Sequence, residues 1–167
     1  MTMSLKRIGR HLLATHWQVN RAFPRPALIA IEKAIKASEA AHVGEIRFVV
    51  EGALHSTPLF NGQSARERAI EVFSQLRVWD TEHNNGVLIY LLLADRDVEI
   101  VADRGVHAKV GSQEWEQICR KMETAFQQGN YKGGVISGIQ AVTQHLMKHF
   151  PASGVGQNEL PDKPVVL

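Results

Sequence analysis

At 167 residues and 18.6 kDa, with 44% hydrophobic and 22% charged residues, the chain is of single-domain size and ordinary globular composition, which excludes disordered, collagen-like and fibrous classes. One cysteine excludes an internal disulfide, and the longest apolar run, Val87 to Ala94, falls far short of the roughly 20 residues of a membrane-spanning helix. The net charge of +2 hides an asymmetry: residues 1–31 hold five basic side chains and no acidic one, while the remainder holds 14 Lys and Arg against 17 Asp and Glu.

Residues 1–25 read as a basic amphipathic leader. Leu5, Ile8, Leu12 and Leu13 fall near helical spacing with Lys6, Arg7 and Arg10 among them. Such a helix suits peripheral contact with an anionic membrane or, the plainer reading, docking on its own domain. Its apolar stretch, Leu12 to Ala14, is shorter than the about 7–15 residues of a secretory signal core, so a cytoplasmic location is expected. A neutral-to-acidic body argues against nucleic acid as a partner.

Arg25-Pro26 opens the first strong helix, with Pro in the first turn where its missing donor costs nothing. Leu28, Ile31 and Ile35 form its apolar face, Lys33, Lys36 and Glu39 point away, and His42-Val43-Gly44 stops it. Ile46, Phe48 and Val50 then alternate with Glu45, Arg47 and Glu51, the two-residue repeat of a strand with one wet face. Residues 52–63 read as a loop. Ser64 and Glu67 form a capping box for a helix with Ala69, Val72, Phe73 and Leu76 as its stripe.

The polar segment Trp79–Gly86 leads into Val87–Ala94, whose lack of alternation marks a strand buried on both faces. Asp95-Arg96-Asp97 turns the chain into a third strand over Val98–Asp103, closing a hairpin. Ser112 is expected to cap the next helix, faced by Trp115, Ile118, Cys119, Met122 and Phe126. A last helix carries Val135, Ile139, Val142, Leu146 and Phe150, with Gly134 and Gly138 inviting close approach of a neighbour. From residue 151 onward no period remains, and 151–167 read as a flexible tail. The order α-β-α-β-β-α-α over residues 26–150 implies an α/β domain, a three-layer α/β/α sandwich with a small mixed sheet.

Strand direction sorts the polar residues into two ends. At the carboxyl ends of the parallel strands lie Glu51, His55, Asp95 and Asp97, although Asp-Arg-Asp is also good turn chemistry. At the amino ends lie His42 and Glu45, the run Asp80, Glu82, His83, Asn84 and Asn85, and the exit Asp103-Arg104-Gly105 with His107. This second collection is the denser. Its carboxylates and amides suit Ca²⁺ or Mg²⁺ and its imidazoles Zn²⁺, though no spacing is diagnostic. Cys119, on an apolar stripe, reads as an inert core thiol. His145 and His149, four apart, suit the carboxyl end of a helix at least as well as a metal. Gly133-Gly134 lacks the strand that a phosphate cradle needs.

Asn84-Asn85-Gly86-Val87-Leu88-Ile89, followed by Asp95-Arg96-x-Val98-x-Ile100 and Gly105, resembles the TPM domain family. So do Arg66, Ala69, Val72 and Phe73 upstream of Trp79, and Phe126-x-x-Gly129-x-Tyr131-x-x-Gly134 downstream, a likeness spanning roughly residues 26–150. The resemblance implies an α/β/α sandwich, divalent-cation binding, chiefly Ca²⁺, and acid-phosphatase-like hydrolysis of phosphomonoesters. Two departures stand out: Asn85 where the family usually has an acidic residue, and Asp103-Arg104-Gly105 where it has Gly-Tyr-Gly. On this reading Glu82, Asn85 and Asp103 hold the ion. The expected role is a cation-binding accessory module or one that meets a protein partner. In the enzymatic alternative Arg104 clamps a phosphate while His83 or His107 moves protons.

Overall fold

The computed structural model describes residues 4–14, 16–154 and 157–167. The chain runs α1 (Leu5–Leu13), α2 (His16–Ala22), α3 (Arg25–Glu39), β1 (Glu45–Glu51), α4 (Ser56–Phe60), α5 (Ala65–Gln75), β2 (Gly86–Leu92), β3 (Asp97–Ala102), α6 (Arg104–Val110), α7 (Ser112–Gln127), α8 (Tyr131–His149) and β4 (Val165–Val166). The sheet order is β3-β2-β1-β4, with β1 parallel to β2 and β4, and β3 antiparallel to β2.

The α/β/α sandwich is present. Alternate residues of the sheet enter two cores. Ile46, Phe48, Val50, Val87, Ile89 and Leu91 face a core with α3, α7 and α8, while Val49, Leu88, Tyr90 and Leu92 face the one under α5. The Ser64/Glu67 capping box forms with both hydrogen bonds present. Gly138 and Gly134 let α7 press on α8: a Cβ on Gly138 would fall 2.3 Å from Met122 Sδ, and one on Gly134 2.7 Å from the Phe126 ring.

Four expectations are corrected, the last of them that of a loose tail. Ser112 does not cap α7, because Gly111, at φ 87°, occupies the cap position without a side-chain bond. The 52–63 and 104–110 stretches supply helices α4 and α6 beyond the expected order, while the leader forms the helix its spacing implies as α1, followed by a second, α2. The third correction carries the fold: β1 has no wet face. All seven of its residues are buried.

Its polar side chains are consumed by partners. Glu51 receives both Nε and Nη2 of Arg68, at 2.9 and 3.0 Å, and the Tyr90 hydroxyl at 2.6 Å. Burial and the Glu51 carboxylate hold the Tyr90 phenol above its ordinary range. Glu45 accepts the backbone N–H groups of Glu159 and Leu160, each at 3.1 Å. The Arg47 guanidinium donates to the carbonyls of Pro161 and Lys163. Residues 157–167 are therefore not a loose tail. They lie along β1, bury Leu160 and end as β4, with Leu167 N–H donating to Val50 O at 2.9 Å.

Replacing Arg47 by Met keeps its apolar stem and removes the bonds that hold residues 161 and 163. The loss of charged hydrogen bonds should cost about 2 kcal/mol. Hydrogen exchange should then show the Leu160 and Leu167 amides losing protection while Ile89 in the sheet centre keeps it. Unchanged protection at both tail amides would refute the clasp.

Candidate functional site

The amino ends of β1 and β2 meet in register, Glu45 opposite Gly86, and β3 ends beside them, where Asp103 N–H donates to Gly86 O at 2.8 Å. Asn85 and Asp103 therefore share one rim, as strand topology required. The loop before β2 is tightly made. Asn84 takes a left-handed conformation, φ 51°, which asparagine tolerates better than most residues. Thr81 Oγ1 accepts Asn85 N–H at 3.1 Å. Gly105 lies on this loop so closely that a Cβ would fall 2.6 Å from Asn84 O and 3.0 Å from His83 O.

Asn85 is wholly buried. Its Nδ2 donates to Val43 O at 2.8 Å and its carbonyl accepts Glu45 N–H at 3.2 Å, leaving Oδ1 without a hydrogen-bond partner. Asp103 caps α6 through Oδ1, which accepts Arg104 N–H at 2.7 Å, and its buried Oδ2 is likewise unpartnered. Glu82 and His83 are exposed on the same loop, and Glu82 N–H donates to Glu159 Oε2 at 3.0 Å. Arg104 and His107 are exposed too, but His107 lines a different cavity, with Trp115, Cys119 and Glu123. Glu82, His83, Asn85 and Asp103 thus gather at one rim, and His107, whose backbone N–H donates to Asp103 O at 2.9 Å one turn into α6, lines the neighbouring cavity.

The rim borders a cavity of about 350 Å³ between the end of α3, the start of β1 and the segment 157–162. Five carboxyl groups line it: Glu39, Glu45, Glu82, Glu159 and Asp162. Neither Asn85 nor Asp103 does. Asn85 instead ties Val43, in the cavity wall, to the strand ends. Burial, reinforced by the charges of Glu45 and Asp162, pushes the Glu39 carboxyl from its ordinary 4.5 up to about 9, and burial also raises Glu45. His42, 2% exposed, lines the cavity with neither ring nitrogen hydrogen-bonded, and burial holds its pKa below the usual value. Among the described residues no three carboxylate, imidazole or thiolate groups converge as closely as a preformed metal centre needs.

Glu39, Glu159 and Asp162 were not legible as site residues. Glu39 sits on the polar side of its helix, and the two acids at 159 and 162 belong to a stretch without periodicity. The only available signal was the pair flanking Leu160-Pro161, an apolar anchor within an otherwise polar segment.

The opposite end of the sheet is occupied by structural pairings. Glu51 is held as described above, and Asp95 is gripped by Arg7, Arg10 and His11 of α1. Burial pushes Asp97 up to about 6. Burial likewise raises the Cys119 thiol to about 12, the inert state expected of a core cysteine. His145 lies edge-on to Trp115 with Nε2 3.7 Å from Glu114.

Because Glu39 binds its proton more tightly in the folded than in the unfolded chain, folding takes up protons between the two pKa values. Stability should accordingly fall as pH rises from about 4.5 towards 9. Glu39→Gln, which keeps an oxygen for Ile46 N–H, should flatten that decline, read as the melting temperature between pH 6 and 9. An unaltered slope would refute the perturbed carboxyl.

Comparison with known proteins agrees with this architecture. The protein from the psychrophilic bacterium Bizionia argentinensis known as BA42, solved by NMR, is 30% identical, with a TM-score of 0.75 over 85% of this chain and 93% of that one. The N-terminal domain of a protein from P. gingivalis, also solved by NMR, shares the fold at 22% identity, with a TM-score of 0.58 over 71% of this chain and 74% of that one. No curated protein matches the chain. The model of the TPM domain matches residues 23–145, and the chain belongs to the TPM domain family.

Proposed function

We propose that the protein is a divalent-cation-binding accessory domain, with the ion seated in the carboxylate-lined cavity at the amino ends of β1 and β2. The observation that carries this reading is the convergence of Glu39, Glu45, Glu82, Glu159 and Asp162 on one cavity whose wall also holds the unpartnered ring of His42. Burial and mutual repulsion keep a proton on Glu39, and Lys36 is the one Lys or Arg side chain among the described lining residues, set against five carboxyl groups, so the cavity is richer in acceptors than in cationic charge. A hard cation supplies that charge and takes oxygen ligands at flexible geometry, which suits Ca²⁺ first and Mg²⁺ second. With no tight three-residue cluster among the described residues, the ion would retain several waters, and the affinity would fall in the weak range of about 10⁻⁴ to 10⁻³ M. Asn85 and Asp103 act as supports of the rim in this scheme, and Glu82 alone of the three expected ligands lines the seat.

The hydrolytic alternative asks His83 or His107 to serve a phosphate held by Arg104 and an ion at Asp103. The absence of Arg104, Asp103 and His107 from the lining of the acid-rich cavity counts against it. Hydrolysis of p-nitrophenyl phosphate should therefore stay at the uncatalysed rate with Ca²⁺, Mg²⁺ or Zn²⁺ present.

Calcium at about tenfold excess over Kd should stabilise the folded chain by about 1.4 kcal/mol, a rise in melting temperature of about 3–5 °C. The double variant Glu39→Gln/Asp162→Asn should lose that response, whereas Asp103→Ala should lower the baseline stability and keep it. A response lost in Asp103→Ala and retained in the double variant would move the seat to the Asn85–Asp103 rim. No response to any divalent cation would reject the reading.

A further inference from the structure

Helix α1 is docked by its polar side. Arg7 Nε donates to Asp95 Oδ2 at 2.9 Å, Arg10 Nη2 to Asp95 Oδ1 at 3.0 Å, and Arg7 Nη2 to Gln63 O at 2.9 Å. His11, buried, accepts Leu54 N–H on Nδ1 at 3.0 Å and brings Nε2 to 3.1 Å from the same aspartate. At 100° per residue these groups occupy one flank of the helix, and Leu5, Leu12 and Leu13 lie across from them. Ordinary amphipathic docking would bury the leucines and expose the charges. Here the arrangement is inverted: Leu5 is 84% exposed, Leu12 63% and Leu13 75%, and Trp17 of α2, at 64%, continues the apolar surface.

Beside this surface runs an open groove lined by Arg10, Arg21 and Arg96 together with Leu13 and Trp17, and none of the described residues that line it is acidic. Arg21 lies over the Trp17 ring at 5.2 Å. Apolar side chains projecting outward beside Arg21 and Arg96, with Arg10 held by Asp95 at the edge, match the boundary between acyl chains and anionic headgroups. A second copy of the chain fits less well, since apposing two such surfaces would bring their arginine grooves together.

We propose that α1 and Trp17 form a membrane-docking surface for anionic phospholipid, with the leucines and the tryptophan entering the interface and the arginine groove receiving phosphate headgroups. The Asp95 grip holds the helix to the domain, so docking would fix the orientation of the whole sheet relative to the bilayer. This inference is independent of the cation reading, and its test is run in chelator so that the two fail separately.

The full chain is floated with vesicles of phosphatidylcholine alone and with vesicles containing about a third phosphatidylglycerol. Binding is expected to the anionic vesicles only, to weaken in about half-molar salt, and to fall about tenfold or more in Leu12→Asp and in Arg21→Glu/Arg96→Glu. Each substitution is at an exposed position, and an unchanged melting temperature confirms that the fold is kept. Trp17 fluorescence, isolated by comparison with Trp17→Phe, should shift to the blue on binding. Failure to float with anionic vesicles overturns the proposal. So does flotation indifferent to Leu12→Asp, or a concentration-dependent dimer abolished by that substitution in the absence of vesicle binding.

Discussion

The architecture depends on one constraint, the burial of three charged side chains on β1. A carboxylate or guanidinium removed from water is tolerated only when its hydrogen-bonding capacity is met. Glu51 is met by Arg68 and Tyr90, which ties α5 to the sheet. Glu45 and Arg47 are met largely by backbone groups of residues 159–163, which ties the end of the chain to the start of the sheet. The polar half of the strand is thus the part that specifies its neighbours, while Ile46, Phe48 and Val50 supply the nonspecific apolar burial on the other face.

This explains which parts of the fold were legible in the sequence. The capping box at Ser64 and Glu67, the uninterrupted Val87–Ala94 run and the Asp-Arg-Asp turn each encode their structure within a few residues, and each forms as read. The alternation of β1 is equally local, but its meaning is not. Polar residues every second position denote a wet face only if nothing covers it; Glu51 is covered by Arg68 of α5, and Glu45 and Arg47 by a segment more than 100 residues away in the chain, as in the Glu45–Leu160 bond. The same remoteness hid the site. That polar groups gather at the amino ends of the strands, and that Asn85 adjoins Asp103, followed from topology. The acid-lined cavity did not, because Glu39 lies on an ordinary polar helix face and Glu159 and Asp162 reach it only once the last segment is seated.

The two ends of the sheet have diverged in use. The carboxyl end, where ligands of open α/β sheets usually lie, is here filled by internal ion pairs: Asp95 with α1, Glu51 with α5. The amino end retains acceptors without donors, among them His42, Asn85 Oδ1 and Asp103 Oδ2. In a folded protein such acceptors are a standing energetic cost, and they line the end of the sheet whose charges are not taken up by internal ion pairs.

The terminal strand β4 pairs with only Val49 and Val50 of β1, and the groups further along β1 face an irregular segment instead of a continued ladder. A long open margin of unpaired backbone invites another chain to add itself, and short, interrupted coverage is a recognised defence against it. Clipping the last ten residues would uncover the side of a strand that is buried along its whole length. The product would be drawn towards aggregation by the backbone of β1, whatever became of its binding properties.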